Sequence, residues 1–481
     1  MTILDRFFRY VDQYPDAIFI ESSDQSFTYR QFHKQLKIRA NLILSKTNGR
    51  RCIVGFNAAR SINAIINMLS IVEAGCIYFP TTNDEGDWKG VDPEFFINDI
   101  GLHDANIERA ESFSGGSVPS GLEGCAYVLK TSGTTGSPKS VFCPYSGIER
   151  LVVDNGYLDF NRDDSTLLIS PLTFDASTFE VWSAVLNGLR LVVYDDEVVD
   201  LNKLERMIID HNVKILWLTS ALFHLAVRFR VNIFSNLRVV LSGGDVIDPG
   251  SVNELLDKHK HLTFINGYGP TENTTFTACK VIKAEDIPLN SMPIGTLING
   301  TWGMVLGTDN KEVGPDIIGE LVVGGQGLAC RILVDGKDSG KLQQFPGSEN
   351  VICYRTGDLA YRNDHGELFF VGRMDSEIKR NGYRVNLTGL ASRISNVINV
   401  TPVYCFFFRG KGSDQLVAAI QSSTGEVCIE KYQKKLRRSL KQYELPDILY
   451  EVKQFPFNKN GKIDLNKLKE DINGKLKHRC G

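Results

Sequence analysis

The 481-residue sequence lacks clustered metal or redox ligands, a strong excess of charge of either sign, and any long apolar run. Its ten cysteines are scattered singly, with no CxxC pair and no His–Cys cluster, so neither a zinc site nor a redox pair is suggested. The net charge of −3 gives no basic domain of the kind that binds nucleic acid. The N-terminus has no apolar signal-peptide core, and the apolar stretch at 62–72 is too short to span a bilayer. We therefore expect a soluble cytoplasmic protein that binds neither nucleic acid nor membrane.

Short apolar runs, rich in β-prone residues, recur over roughly the first 280 residues and alternate with amphipathic helical patterns at 201–211 and 249–259. Unbroken apolar strands that alternate with helices are typical of parallel sheets covered on both faces. The sequence therefore predicts an α/β fold with a large N-terminal domain. The predicted strands are 52–56, 127–129, 166–169, 189–193, 214–218, 237–241 and 262–265.

The pattern changes in the last third of the chain. Between about 294 and 373 the segments are short, glycine-spaced and strand-like, which predicts a small β-rich subdomain. Beyond Met374 a further unit has strand candidates at 403–409 and 416–421 and a basic helix around 430–442. We place the boundary near 373–375, with an N-terminal core at 1–374 and a small α+β C-terminal domain at 375–481.

The strongest local motif is YVLKTSGTTGSPK at 127–139, a strand followed by a loop of Gly, Ser and Thr and then Lys139. Glycines let backbone N–H groups approach an anion, hydroxyls add donors, and the lysine adds positive charge. It is not a Walker loop, because Pro138 stands where that motif requires glycine. A flexible surface loop is the alternative for such a composition, but the preceding strand and Lys139 favour polyphosphate binding.

Four segments follow in a fixed order: NGYGPTE at 266–272, YRTGD at 354–358, GRMDSEIKRNGYR at 372–384 and PFNKNGKID at 456–464. Each alone could be a turn, since these residues are turn formers. Together with the first motif they closely resemble the adenylate-forming superfamily, and within it the adenylation domains of nonribosomal peptide synthetases. The resemblance extends from 26 to 462. It implies an enzyme that activates a carboxylic acid with ATP as an acyl-AMP.

The resemblance implies a nucleotide site that binds ATP and Mg²⁺. In it Tyr268 stacks on adenine, Asp358 accepts both ribose hydroxyls, and Arg373 adds a ribose contact. Thr271 contacts the α-phosphate and Glu272 binds Mg²⁺; with Lys462 these two form the catalytic set. The remaining nucleotide positions are Thr131, Ser132, Gly133, Thr134, Thr135, Gly136, Lys139, Gly244 and Asn266.

The resemblance also implies a mobile C-terminal domain that rotates between two half-reactions. Asp375 matches the hinge, and the Gly382 loop matches the tunnel for a phosphopantetheine thiol; a plain turn is the alternative for a boundary glycine. Asn386 and Leu390 replace glutamates that are usual in the family, which bears on carrier docking. We expect a freestanding monomer that passes its product to a separate phosphopantetheinylated carrier protein. The basic run at 434–441 could meet an acidic carrier or be a solvated helix face.

The nature of the acid depends on Asp175 in the segment FDAS. The matching family residue receives a substrate α-amino group, and a buried carboxylate needs such a cationic partner. A helix N-cap is the alternative role for this residue. The other matched pocket positions, which with Asp175 and Lys462 resemble a valine-type pocket, are Ala176, Phe179, Trp217, Leu241, Gly243, Gly267, Thr275 and Phe276.

The expected substrate is therefore L-valine or a similar small aliphatic amino acid. One methylene contributes only about 1–3 kcal/mol in such a pocket, so isoleucine, leucine or alanine could be secondary substrates. Two alternatives stay open: an acyl-CoA synthetase of the same superfamily, against which Asp175 argues, and a non-catalytic nucleotide- or acyl-adenylate-binding protein.

We predict that Lys462→Ala nearly abolishes acyl-AMP formation and leaves ATP binding largely intact. Lys462 is expected to stabilise charge that grows where the two anions meet, and loss of such a contact costs about 3–4 kcal/mol, or roughly 10²–10³ in rate. Pyrophosphate exchange measures the reaction and calorimetry measures ATP binding. Exchange at the wild-type rate in the variant would refute the assignment.

Overall fold

A computed structural model describes residues 2–81, 91–99, 105–110, 121–131, 138–285, 292–348, 350–380, 383–400, 402–408, 415–421, 429–457 and 463–479. It confirms the predicted α/β class. Within these residues the helices are α1 (Asp5–Gln13), α2 (Tyr29–Thr47), α3 (Ile62–Glu73), α4 (Tyr145–Val152), α5 (Ala176–Asn187), α6 (Leu201–Asp210), α7 (Ser220–Arg230), α8 (Pro249–Lys258), α9 (Leu387–Ile398), α10 (Ile429–Ser439) and α11 (Leu465–Arg479).

The strands divide among two large sheets and several smaller ones. Up to residue 282 they are β1 (Ile18–Glu21), β2 (Ser26–Thr28), β3 (Ile53–Asn57), β4 (Ile77–Thr81), β5 (Phe95–Asp99), β6 (Ala105–Arg109), β7 (Cys125–Thr131), β8 (Lys139–Pro144), β9 (Ser165–Leu168), β10 (Arg190–Val193), β11 (Ile215–Thr219), β12 (Val239–Gly243), β13 (Thr263–Tyr268) and β14 (Ala278–Ile282). Beyond it they are β15 (Thr296–Leu297), β16 (Thr301–Leu306), β17 (Gly319–Gly325), β18 (Arg331–Val334), β19 (Lys337–Asp338), β20 (Leu342–Gln344), β21 (Ile352–Arg362), β22 (Leu368–Arg373), β23 (Glu377–Arg380), β24 (Tyr383–Asn386), β25 (Val403–Phe408), β26 (Gln415–Gln421) and β27 (Ile448–Val452).

The first large sheet has the order β15-β14-β13-β12-β11-β9-β10-β1-β2 among the described strands. Its middle, from β13 to β1, is parallel, as the unbroken apolar runs predict. Strands β11, β12 and β13 lie in register, with Trp217 opposite Leu241 and Thr219 opposite Gly243. The carboxyl ends of these strands therefore meet at one edge, where ligands of open α/β sheets usually bind.

The second large sheet has the order β19-β18-β8-β7-β4-β3-β5-β6. Helix α5 connects it to the first sheet, since α5 packs on β9 and β10 and also reaches two tyrosines of the second sheet. Trp182 Nε1 donates to Tyr78 Oη at 3.2 Å, and Thr178 Oγ1 donates to Tyr127 Oη at 3.2 Å. This buried helix begins beside the edge formed by β11–β13, so its first turn is fixed from both sheets.

The region after residue 292 is distributed over more than one sheet. Strands β16, β17, β20, β21 and β22 form a separate antiparallel sheet, whereas β15 joins the first large sheet and β18 and β19 join the second. Strands β25, β26 and β27 form a further sheet, covered by α9 and α10. The basic helix forms as α10, with Leu436 buried and Lys434 and Lys435 exposed. The domain limits at 374 and 375 stay a prediction.

The sequence does not reveal which cysteines lie close together in the fold. Cys52 and Cys76 precede the neighbouring parallel strands β3 and β4, and their Sγ atoms lie 3.7 Å apart in the core. Their separation by 24 residues carries no motif, so spacing alone did not reveal them. None of the described helices is long and apolar enough to cross a bilayer.

Glu180 predicts a pH dependence of stability. Its carboxyl group is buried in α5, where it accepts hydrogen bonds from the Ser170 amide (3.0 Å) and hydroxyl (2.9 Å), and burial raises its pKa from 4.5 to about 8. The folded state therefore holds a proton that the unfolded chain releases, so the free energy of unfolding falls as pH rises from about 5 to 8. Glu180→Gln keeps the shape without the titration.

We expect the variant to gain stability relative to the wild type between pH 5 and 8, measured by urea denaturation. Glu254→Gln on the exposed face of α8 is the matched control and should leave the pH profile unchanged. Equal pH slopes in wild type and Glu180→Gln would contradict the raised pKa.

Candidate active site

The strands β7 and β8, which flank the Gly/Ser/Thr motif in the sequence, pair with each other. Thr131 ends β7 and pairs directly with Lys139, the first residue of β8. This register brings the two ends of the connecting loop together and leaves the Lys139 side chain at its base. Some predicted residues lie outside the described residues: Ser132, Gly133, Thr134, Thr135, Gly136, Gly382 and Lys462. Asp375 lies in a short 3-10 turn, Met374–Ser376.

Lys139 contacts the carboxylate predicted to bind the metal. Its Nζ lies 3.5 Å from Glu272 Oε1, and both side chains are largely buried, with exposures of 11% and 8%. Tyr354 Oη also donates to Glu272 Oε1, at 3.0 Å. Burial, and after it the Glu272 carboxylate, raise the pKa of Tyr354. The end of the phosphate motif, the NGYGPTE segment and strand β21 thus converge on one point.

Asp358, the carboxylate assigned to the ribose hydroxyls, lies on the same strand as Tyr354. Arg373 of β22 donates to Asp358 Oδ1 at 2.8 Å, and the Tyr268 hydroxyl donates to Asp358 Oδ2. Burial and the neighbouring carboxylate raise the pKa of Tyr268 well above its ordinary value, so the hydroxyl keeps its proton. The three residues assigned to the adenosine moiety are therefore hydrogen-bonded to one another.

Asp175 occupies the N-cap position of α5, but its side chain makes no capping hydrogen bond. Its Oδ2 instead accepts a bond of 2.6 Å from Thr271 Oγ1, and its backbone oxygen accepts one of 2.8 Å from Thr275 Oγ1. Asp175 is therefore an N-cap residue by its backbone position only. Its carboxylate binds Thr271 and does not cap the helix. Asp175 thus lies between the pocket helix and the loop that carries Glu272.

The predicted pocket residues form one apolar cluster at the carboxyl ends of β11, β12 and β13. The Phe276 ring lies 5.5 Å from Phe179 and 5.2 Å from Trp217, measured between centroids. Two glycines are required by this packing: a Cβ at Gly243 would lie 2.0 Å from the Gly267 oxygen, and one at Gly267 would lie 2.7 Å from the Phe276 ring. Ala176 and Leu241 are buried in the same core.

Two predicted nucleotide residues stand apart from this convergence. Asn266 Nδ2 donates to the backbone oxygen of Pro293 at 2.9 Å, so its side chain supports the fold. Gly244 follows β12 with a positive φ of 81° and is exposed. Tyr354 is the first residue of the YRTGD motif, but the sequence does not predict its contact with Glu272, because a motif does not state which acceptor a tyrosine will reach.

The arrangement suits chemistry between two anions. A buried lysine at the base of a glycine-rich loop attracts phosphate, and a buried carboxylate next to it can attract a cation. The apolar residues packed next to Asp175 adjoin these charges through Thr271. An acid bound next to Asp175 and a nucleotide phosphate would therefore meet near Thr271 and Glu272.

Comparison with known proteins gives matches over nearly the whole chain. A family model described as AMP-binding enzyme matches residues 92–332. Malpibaldin synthetase of Mortierella alpina is 31% identical over 94% of this chain, which spans 9% of that synthetase. Gramicidin S synthase 2 of Brevibacillus brevis is 28% identical over 97% of this chain, which spans 11% of it. The chain therefore corresponds to only a small part of the length of these relatives.

Two solved structures resemble the fold. NpsA of Klebsiella oxytoca, in complex with 3-hydroxyanthranilyl-AMSN, has a TM-score of 0.85 at 23% identity, covering 98% of this chain and 99% of its own; this likeness concerns the fold alone. PA1221, an NRPS protein containing adenylation and PCP domains, has a TM-score of 0.70 at 29% identity, covering 97% of this chain and 84% of its own.

We expect Asp358→Asn to weaken ATP binding by about tenfold or more, because hydrogen bonds to charged groups contribute about 1.5–3 kcal/mol. The Arg331–Asp338 pair, 3.3 Å apart on another sheet, provides the matched control Asp338→Asn. Calorimetric titration with ATP measures both variants. Unchanged affinity in Asp358→Asn, or equal losses in the two variants, would contradict the assignment of Asp358 to the nucleotide.

Proposed function

The chain belongs to the AMP-binding enzyme family, whose model matches half of its residues, and from that premise we propose that it activates a small aliphatic α-amino acid, L-valine first, as the aminoacyl-AMP. It is an adenylate-forming ligase that uses ATP. The observation that carries the proposal is Asp175, whose carboxylate borders an apolar aromatic pocket and accepts a hydrogen bond from Thr271. A carboxylate in that position suits a substrate that has an ammonium group and a short apolar side chain.

The aromatic packing at the proposed pocket supports a short side chain. Phe179, Trp217 and Phe276 fill its walls with ring contacts between 5.2 and 5.5 Å, and Gly243 and Gly267 allow close packing of its floor. Bulky substrates would have to displace rings that are almost fully buried. Rigid aromatic walls exclude much larger side chains strongly. They distinguish only weakly between aliphatic side chains that differ by one methylene.

The proposed first reaction is attack of a carboxylate oxygen of the acid on the α-phosphorus of ATP. The new bond joins the acyl oxygen to that phosphorus, the bond to the bridging oxygen of the β-phosphate breaks, and pyrophosphate leaves. Thr271 is assigned to the α-phosphate, and Lys139 to the leaving phosphates. Hydrogen-bond donors that are fixed where negative charge grows in the transition state make the largest contribution to the rate in such a site.

Glu272 is the described residue that fits Mg²⁺. Its carboxylate is buried within 3.5 Å of Lys139, and Mg²⁺ is commonly held by one or two carboxylates together with substrate phosphates. When bound, Mg²⁺ supplies charge neutralisation for the leaving pyrophosphate. Lys139 and Tyr354 hold the Glu272 carboxylate towards the phosphate motif.

The proposed second reaction is transfer of the aminoacyl group to the phosphopantetheine thiol of a separate carrier protein. The thiol sulfur attacks the acyl carbonyl carbon, the bond to the adenylate oxygen breaks, AMP leaves, and the thiol loses its proton. The resemblance to PA1221, which contains adenylation and PCP domains, supports a carrier as acceptor. From the motif order, Asp375 is assigned to the hinge and Gly382 to the thiol tunnel of this second reaction, whereas Lys462 is assigned to the first.

Pyrophosphate exchange across twenty amino acids, aryl acids and fatty acids tests the proposal. Valine-dependent exchange faster than that with any aryl or fatty acid is expected. Exchange with aryl or fatty acids alone would refute the amino-acid assignment and indicate an acyl-CoA synthetase, and binding of ATP without any exchange would indicate a non-catalytic binding protein.

Asp175→Asn should lower kcat/KM for the amino acid by about 10²–10⁴-fold, since removing one partner of a buried ion pair costs about 3–5 kcal/mol. Asp200→Asn is the matched control, because Asp200 is a true N-cap whose carboxylate accepts from the Lys203 amide at 2.8 Å. ATP affinity should stay near the wild-type value in both. Amino-acid-dependent exchange at the wild-type rate in Asp175→Asn would contradict the proposed role.

A further inference from the structure

The loop between Glu272 and Phe276 has an unusual backbone. Thr274 and Thr275 have positive φ angles of 48° and 65°, although both are buried, β-branched residues. Such residues avoid this region, and each costs about 1–3 kcal/mol when it is held there. The loop therefore keeps this shape only because surrounding contacts determine it.

A single buried arginine supplies many of those contacts. Arg150 of α4 is 3% exposed, and its Nη1 donates to the Phe276 oxygen at 2.8 Å. Its Nη2 donates to the backbone oxygens of Asn273 and, at 3.2 Å, Thr274. Burial lowers the pKa of Arg150 to about 10, so it stays protonated at neutral pH. Three carbonyls of the strained loop thus converge on one guanidinium.

The backbone packs closely around the contact between Arg150 and the loop. A Cβ at Gly147 would lie 2.4 Å from Thr274 Oγ1, and one at Gly327 would lie 2.0 Å from Arg150 Nη2. Thr274 Oγ1 donates to the Gly327 oxygen at 2.7 Å. Glycines on both sides therefore allow the arginine and the loop to approach closely.

The opposite side of the loop forms the acid pocket. Thr275 Oγ1 donates to the Asp175 oxygen, and the Phe276 ring packs between Phe179 and Trp217. We propose that Arg150 is a positioning residue that holds Thr274–Phe276 in its strained shape and so sets the size and selectivity of the acid pocket. This inference rests on the proposed function only in that the pocket takes the acid.

The first test is Arg150→Lys and Arg150→Ala in pyrophosphate exchange with whichever acid the wild type activates fastest. Lysine lacks the planar, rigid fork of donors that reaches the three carbonyls from two nitrogens, so KM for the acid should rise at least about tenfold while KM for ATP changes by less than about threefold. The preference for the best acid over the next larger one should fall. Millimolar guanidinium should partly restore the acid KM of Arg150→Ala.

Arg60→Ala is the matched control, because its guanidinium also donates to backbone carbonyls, those of Tyr194, Ile169 and Glu197, at 2.7–3.0 Å. It should lose stability and keep the acid preference. A wild-type acid KM and preference in Arg150→Lys would overturn the proposal, as would the same change of preference in Arg60→Ala. Acid KM and acid preference are measured with whichever acid the wild type activates, so the test does not require that this acid is valine. Failure of the valine assignment would instead appear as a different preferred acid in the wild type.

A second variant covers the case in which Arg150→Ala does not fold. Glycine adopts positive φ without strain, so Thr274→Gly should reduce the need for the arginine. The double variant Arg150→Lys/Thr274→Gly is expected to recover much of the lost acid preference relative to Arg150→Lys. Additive losses in the double variant would show that the strained loop is not what Arg150 supports.

Discussion

The hydrogen bond of 2.6 Å from Thr271 to Asp175 joins the two halves of the candidate site. Thr271 lies in the loop that carries Glu272, and Asp175 precedes the helix that carries Phe179. A short hydrogen bond to a carboxylate fixes both distance and direction. This hydrogen bond therefore fixes the position of the phosphate side relative to the apolar pocket. For a reaction that joins two anions, such alignment matters more than the strength of binding on either side.

Charge balance explains why the rest of the site keeps its shape. Glu272 is buried next to Lys139, and Asp358 is buried next to Arg373. A buried carboxylate is stable as an anion only when a cation or several donors face it. The first four motifs thus form two pairs, in each of which one motif supplies the partner for a charge that the other brings.

Sequence patterns predicted those parts of the molecule that depend on local order. Helices α6 and α8 begin at the predicted residues Leu201 and Pro249, and the parallel strands lie within a few residues of the apolar runs, because periodicity reflects burial directly. Arg150 was not predicted, because its partners are backbone carbonyls more than a hundred residues away, which leave no side-chain pattern. The positive φ angles of Thr274 and Thr275 oppose the residues' own preference, so tertiary contacts decide them.

The departure at Asn386 shows how the ribose side is connected to the C-terminal region. Asn386 caps α9 by accepting from the Gly389 amide at 2.8 Å, and its Nδ2 donates to the Arg373 oxygen at 2.7 Å. A Cβ at Gly372 would lie 2.1 Å from Asn386 Oδ1, so this approach depends on glycine there. Since Arg373 also donates to Asp358, the N-cap residue of α9 is two hydrogen bonds away from the carboxylate assigned to the ribose. The nucleotide side is therefore connected to the first turn of α9 in the C-terminal region through a continuous chain of hydrogen bonds.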